Sequence, residues 1–290
     1  MTSASMILTG ASGMLGSRFA KSLQEKGLLT LSREKLDITR PRELIDGIVA
    51  ASPSVIINCA ADTNVEKTES DPAPAFSANA LLPGLLAQAA RETGALLVHF
   101  SSTGCYGRGI GDSLTPHSDF DAVYPTTVHH KSKVAGEVAI REAGCRHLIL
   151  RLGWLYGGGI AYRRNFVWAR ILEARAQSEL SSDPHQIGSP THVDDVVAQA
   201  LHLLETRLTG TFNCVAEGAV ARFDYVKRIL DLAGLAPRMI PKRFARLAPV
   251  SPNEAASNDK LKLLGLNRMP GWEEALSKYV DALLAEDRIA

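Results

Sequence analysis

Thr9-Gly10-Ala11-Ser12-Gly13-Met14-Leu15-Gly16 leaves the apolar run Met6–Thr9 and opens a segment in which Leu15, Phe19 and Leu23 recur every four residues. A strand, a glycine loop and a helix in that order form a dinucleotide-binding corner. Gly10 permits the tight turn, Gly13 lets the backbone approach a pyrophosphate, and Gly16 allows the helix to lie close on the strand. Ser12, Met14 and Leu15 complete the stretch expected to touch the cofactor, and the first N–H groups of the helix face the anion. Glycines also fill ordinary turns. Here the position, the flanks and the βαβ rhythm that follows decide for a dinucleotide fold.

Beyond the loop, apolar runs and helical patterns alternate. Strands are predicted at 28–32, 55–60, 96–101 and 147–152, and helices at 13–26, 41–51, 75–93 and 127–143. That alternation means an α/β fold, a Rossmann-type doubly wound parallel sheet with helices on both faces. After Arg151 the rhythm changes: a loop at 157–159, a helix at 165–177, a turn at 186–190, a helix at 194–204 and a strand at 210–215. Helices and loops bearing Pro237, Pro241, Pro249 and Pro252 complete the chain. Residues 1–155 read as the NAD(P)-binding domain and 156–290 as a smaller substrate-binding lobe, with 191–215 packing back onto the first.

The chain has 290 residues, 46% hydrophobic and 22% charged, with a net charge of +1, which is ordinary globular composition. That balance gives no electrostatic case for a nucleic acid or an acidic membrane as partner. No apolar run reaches the roughly 18 residues of a transmembrane helix. MTSASMILTG lacks the basic and apolar regions of a secretory signal, so a cytoplasmic protein is expected. Cys59, Cys105, Cys145 and Cys214 stand far apart without CxxC spacing, which argues against a metal site and a disulfide framework.

The end of the second strand reads the adenosine ribose. An acid there selects NAD(H), and a cation accommodates the 2′-phosphate of NADP(H). Leu31-Ser32-Arg33 carries no acid, so NADP(H) is preferred; Asp37 is the rival acidic candidate that keeps NAD(H) open.

The ordered motifs TGASGMLG (9–16), LDIT (36–39), VIINCAADTNVEKTESDP (55–72), AFSANALLPGLLAQAA (75–90), LVHFSS (97–102), KSKVAGE (131–137), LRLGWLYG (150–157), RNFV (164–167) and QIGSPT (186–191) give the chain its likeness. It resembles the extended short-chain dehydrogenase/reductases, in particular the dTDP-4-dehydrorhamnose reductase-like branch. The resemblance implies that Asp37 and Ile38 flank the adenine and that Ala60, Ala61 and Thr63 line the cofactor. Ser102 would polarise the substrate carbonyl, and Lys133 would bind the nicotinamide ribose. Trp154, Asn165, Gln186 and Thr191 would line a nucleotide-sugar pocket; capping roles for Asn165 and Thr191 are the plain alternative. The expected function is an NAD(P)H-dependent reductase of a nucleotide-linked 4-keto-6-deoxy sugar, in a chain free to form a homodimer.

One departure matters. The superfamily uses a Tyr-x-x-x-Lys pair, whose four-residue spacing puts both side chains on one helix face. Here Val128-His129-His130-Lys131-Ser132-Lys133 keeps the lysine and carries His129 in place of the tyrosine. His129 is the replacement acid, with an ordinary pKa near ~6.5 that a neighbouring ammonium lowers. A neutral ring still donates an N–H to an oxyanion. Tyr106 and Tyr124 are alternative phenols, and a catalytically silent nucleotide- or nucleotide-sugar-binding regulator of the same fold is the alternative function. Thr103-Gly104-Cys105 also stands where the branch has an acid and an aromatic after the catalytic strand. His130 and Lys131 are expected on the solvated faces of their helix, and Arg163 and Arg164 are candidates for a diphosphate.

Overall fold

The computed structural model describes residues 6–108 and 115–289. Residues 1–5, part of the stretch read above as carrying no secretory signal, lie outside the described residues. Strands β1 (Met6–Thr9), β2 (Leu28–Leu31), β3 (Val55–Asn58), β4 (Leu96–Ser102), β5 (His147–Leu152) and β6 (Gly210–Cys214) form one parallel sheet. Its order is β6-β5-β4-β3-β1-β2. The chain reverses direction across the sheet between β1 and β3, and ligands of open α/β sheets bind beyond the carboxyl ends of such strands.

Neighbouring strand residues divide between two cores because successive side chains point to opposite faces. Leu8, Ile57, Val98 and Leu150 pack with α1 (Met14–Leu23) and, further along the chain, a helix that carries Val196, Ala200 and Leu203. Ile7, Ile56, Leu97 and Ile149 face the other way, onto α2 (Pro41–Ala51) and residues such as Leu86 and Ile140. The longer or site-bearing helices that follow are α3 (Val65–Ser70), α4 (Leu82–Thr93), α5 (Val128–Glu142), α6 (Phe166–Ala176), α7 (Val193–Thr206), α8 (Arg222–Leu232) and α9 (Trp272–Asp287), with short helical turns at Pro72–Phe76 and Asp259–Leu263. A third core, with Tyr156, Trp168, Tyr225 and Tyr279, joins α6, α8 and α9 into the C-terminal lobe. Among the described residues, no helix is long and apolar enough to cross a membrane, and no group of His, Cys, Asp and Glu side chains could hold a metal ion.

The structure differs from the sequence reading at several places, among them the parallel strand pair Glu179–Ser182 and Arg238–Pro241 where only helices and loops were expected. The stretch 59–74 contains α3, a short polar helix whose apolar pattern is too brief to reveal it. The helix expected over 75–93 is broken: Pro72–Phe76 passes through a π turn at Ser77–Leu81 into α4. Pro83 has no N–H to give the carbonyl of Asn79, so the turn widens. Gly136 on α5 lies against that same carbonyl, where a Cβ would come within 2.0 Å of the oxygen. Finally, the turn expected at 186–190 holds two short strands. Ile187–Gly188 pairs antiparallel with Val220–Ala221, and Pro190–His192 pairs parallel with Trp154–Tyr156.

Because the Gly136 contact is with backbone, it has little freedom to relax. Gly136→Ala is expected to destabilise the fold by about 1–3 kcal/mol, the usual range for overpacking. Thermal unfolding reads it directly, and an unchanged melting temperature would show that the α4–α5 approach is looser than described.

Candidate active site

Gly10 turns the chain with φ +68°, and a Cβ there would lie 2.6 Å from the backbone of Cys59 and Ala60. At Gly16 a Cβ would come within 2.1 Å of the Gly10 carbonyl, so α1 can approach β1 only with glycine at that position. Gly13 is the N-cap residue of α1, with no side-chain cap and no acid in the first turn. The first N–H groups of the helix therefore remain available to an anion. Ser12 is exposed beside them, Met14 is half-buried, and Leu15 is buried in the core. This cradle fits a dinucleotide pyrophosphate.

Arg33 is exposed in the short helical turn Arg33–Lys35 that follows β2. Asp37 is engaged elsewhere: its carboxylate accepts from the hydroxyl and N–H of Thr39 and from Nε of Arg40. The Thr39 and Arg40 hydrogen bonds hold its pKa down to about 2. Ile38 is half-buried next to it. Of the two candidates for reading the ribose, the cation is the one that keeps its donors free of Asp37's turn.

Beneath the loop after β3 runs a buried polar chain. Thr9 Oγ1 donates to Asn58 Oδ1 at 2.6 Å, and Asn58 Nδ2 meets His99 Nδ1 at 3.0 Å. Ala60 N donates to Asn58 Oδ1, which fixes the exit of the loop; Ala61 and Thr63 follow exposed. Asn79, which the sequence reading missed, pins the same loop by accepting from Asp62 N and donating to the Asp62 carbonyl. Its Nδ2 also reaches Ser132 Oγ on α5 at 2.9 Å. An asparagine facing both elements is a signal only once they are known to meet.

Helix α5 begins under two caps. Thr127 Oγ1 accepts from His130 N, and Glu69 Oε1 of α3 accepts from Val128 N at 2.7 Å. The helix packs on β4 and the turn after it, where Ser102 is half-buried and accepts from Gly104 N. His129 and Lys133, one helical turn apart, are both buried. Burial, with His130 and Lys133 as neighbours, lowers the pKa of His129 to about 3 against the opposing hydrogen bond with the Asp62 backbone, so its ring is neutral at pH 7. Its Nδ1 is buried without a partner. Burial also lowers Lys133 to about 8, against the opposing pull of Glu137. Glu137 cannot neutralise this ammonium fully, because both its oxygens already accept from Arg151, at 3.0 and 2.7 Å.

The alternative phenols stand apart from this chemistry. Tyr106 is fully buried; its hydroxyl donates to Asn213 at 2.7 Å and accepts from Arg151 at 3.1 Å, and its ring stacks on His117. Tyr124 is exposed. Burial pushes the thiols of Cys59 and Cys105 far above the ordinary range, so neither is a nucleophile. Lys131 is exposed as expected, but His130 is buried, because its ring fills the space over Gly104.

Just after β5, Trp154 lies flat on Gly188, where a Cβ would come within 2.2 Å of the indole. Its Nε1 donates to Glu254 at 2.8 Å, and the Arg222 guanidinium covers its ring at 3.8 Å. Gln186 Oε1 accepts from Arg222 Nε. Arg222 and Glu254 are thus part of the constellation that sequence reading missed. Asn165 and Thr191 belong to the frame. Asn165 caps α6 through Trp168 N and donates to Tyr279, while Thr191 donates to the Ser189 carbonyl and accepts from Ala216 N. The helix after Thr191 starts from His192, without a side-chain cap. Arg163 and Arg164 are exposed, with Arg164 reaching Thr63 at 3.5 Å.

The RmlD substrate binding domain family matches residues 4–285. A dTDP-4-dehydrorhamnose reductase of Mycobacterium tuberculosis (strain ATCC 25618 / H37Rv) is 31% identical, over 96% of this chain and 92% of the relative. The crystal structure of a dTDP-4-dehydrorhamnose reductase from Clostridium acetobutylicum superposes with a TM-score of 0.89 at 31% identity, covering 96% of this chain and 99% of that one. The Bacillus anthracis enzyme of the same name, solved in complex with NADP, gives 0.87 at 30% identity, covering 94% and 97%.

Tyr106→Phe separates a structural phenol from a chemical one. Removing the hydroxyl leaves Asn213 and Arg151 short of a buried partner, and stability should fall by about 1–3 kcal/mol. Turnover per folded molecule should stay at the wild-type level; its loss would return Tyr106 to the reaction.

Proposed function

The chain belongs to the RmlD substrate binding domain family, and on that footing we propose that it reduces a nucleotide-linked 4-keto-6-deoxy sugar with NADPH. The observation that carries the reading is the pairing of His129 and Lys133, one turn apart on α5 against the end of β4 that bears Ser102. NADPH, when bound, supplies the hydride that reduces the keto carbon. Gly10, Gly13 and the N-terminus of α1 would hold its pyrophosphate, and Arg33 its 2′-phosphate.

Ser102 Oγ donates a hydrogen bond to the keto oxygen. The neutral imidazole of His129, which hydrogen-bonds the Asp62 backbone, would exchange that contact and donate its one N–H to the same oxygen as negative charge develops there, the role of an oxyanion-hole donor. Lys133 Nζ holds the proton that is available at neutral pH and orients the cofactor ribose. This differs from the assignment of His129 as an imidazolium acid: burial removes that cation long before pH 7, whereas Lys133 titrates nearby. A second reading, nucleotide binding without turnover, draws on the same suppressed charge of His129.

The proton inventory fixes the pH profile. Lys133 has its pKa lowered from 10.5 to about 8, so its ammonium is present below that pH and lost above it. Turnover of dTDP-4-dehydrorhamnose with NADPH should therefore hold across pH 6–7 and fall as pH rises through about 8. A fall centred near ~6.5, the ordinary imidazole value, would instead make His129 the acid. His129→Ala should lower kcat by about 10²-fold, the effect of losing one oxyanion donor, and His129→Tyr should raise it above wild type. An unchanged kcat in His129→Ala removes this residue from the chemistry.

Cofactor choice is tested at Arg33. A charge-assisted contact of about 1.5 kcal/mol corresponds to roughly tenfold in affinity. Arg33→Ala should weaken NADPH binding by about that factor and leave NADH binding unchanged; equal effects on both would place the 2′-phosphate elsewhere.

A further inference from the structure

His130 and Glu254 come from distant parts of the chain and meet in the buried space between α5 and the lobe. The imidazole occupies the volume that a side chain at residue 104 would need: a Cβ on Gly104 would lie 2.1 Å from its Cε1 and 2.2 Å from its Nε2. His130 Nε2 stands 3.9 Å from Glu254 Oε1, and both side chains are less than one-tenth exposed. That separation is too long for a direct hydrogen bond. His130 Nδ1 is buried without any partner.

Glu254 itself is held rigidly. Its carbonyl accepts from Thr103 Oγ1 at 2.7 Å, its N–H donates to the Ile187 carbonyl at 2.8 Å, and its Oε2 accepts from Trp154 Nε1. Oε1 is left facing the imidazole. On the other side, the His130 ring makes an edge contact with His129 at 5.1 Å between centroids. The pair therefore lies between His129 and the Trp154, Arg222 and Gln186 side chains.

A carboxylate oxygen is an acceptor only, while a neutral imidazole facing it presents an N–H. A single hydroxyl set between them satisfies both, donating to Glu254 Oε1 and accepting from His130 Nε2. We propose that His130 and Glu254 bind the hydroxyl on the carbon next to the keto carbon, making the enzyme selective for 4-keto sugars that carry a free 3-hydroxyl. This deepens the proposed reductase reading and rests on it for the identity of the ring. The Thr103-Gly104 sequence is part of the same device, since Thr103 anchors Glu254 and Gly104 admits the imidazole.

The test compares dTDP-4-dehydrorhamnose with its 3-deoxy analogue. Binding of each to the protein–NADP⁺ complex is measured by calorimetry, and turnover with NADPH by nicotinamide absorbance. Wild type is expected to bind the 3-hydroxy sugar about tenfold or more tightly than the 3-deoxy one, the value of a hydrogen bond to a charged group. Glu254→Gln and His130→Ala should each erase that preference by raising Kd and KM for the 3-hydroxy sugar alone, with NADP⁺ affinity unchanged. Gly104→Ala should do the same by displacing the ring. Equal affinity of wild type for both sugars, or a preference that survives in both Glu254→Gln and His130→Ala, overturns the proposal. Preference in binding without NADPH oxidation would sink the reductase reading and leave the hydroxyl site standing.

Discussion

The buried ion pair between Glu137 and Arg151 ties α5, the helix that bears His129 and Lys133, to the sheet. Both carboxylate oxygens of Glu137, fully buried on α5, accept from the guanidinium on β5. Burial pushes the Glu137 carboxyl upward, but the hydrogen bonds and charge of Arg151 outweigh it and keep it ionised. The same guanidinium donates to Tyr106, whose hydroxyl donates to Asn213 on β6. Asn213 in turn donates to the Ser257 carbonyl in the C-terminal segment. One polar chain thus crosses helix, sheet and lobe. Removing a single partner from such a pair typically costs about 3–5 kcal/mol, because the other charge is left buried alone.

The pair also sets the chemistry. With both Glu137 oxygens bonded to Arg151, that carboxylate only partly offsets the desolvation of Lys133, whose pKa falls to about 8. The position that carries tyrosine in the superfamily holds an imidazole too deeply buried to charge. On the proposed reading the labour divides accordingly: the ring would supply an oriented N–H, and the lysine the titratable proton. On that reading the acid lies one helical turn along the same face, at Lys133.

Much of the fold was legible because its signals are local. The glycine loop requires particular backbone angles and close approaches at Gly10 and Gly16, and the doubled apolar residues Ile7-Leu8, Ile56-Ile57, Leu97-Val98 and Ile149-Leu150 mark strands buried on both faces. What escaped is non-local. The strands around Gly188 are two and three residues long and exist only through their partners. The π turn before Pro83 and the close approach of Gly136 explain each other only once α4 and α5 are seen in contact. His130 read as a surface residue by helical periodicity, whereas in the structure its ring fills the space over Gly104, a contact visible only once α5 and the turn after β4 are seen together. Glu254 and Arg222 lie in the stretch with the weakest sequence pattern and join the site by folding back onto Trp154.

The most direct test incubates the purified protein with NADPH and dTDP-4-dehydrorhamnose and follows nicotinamide absorbance and the sugar's mass together. The account predicts one NADPH oxidised for each sugar nucleotide that gains two hydrogens. NADPH that binds yet stays reduced, beside an unchanged sugar nucleotide, would contradict it.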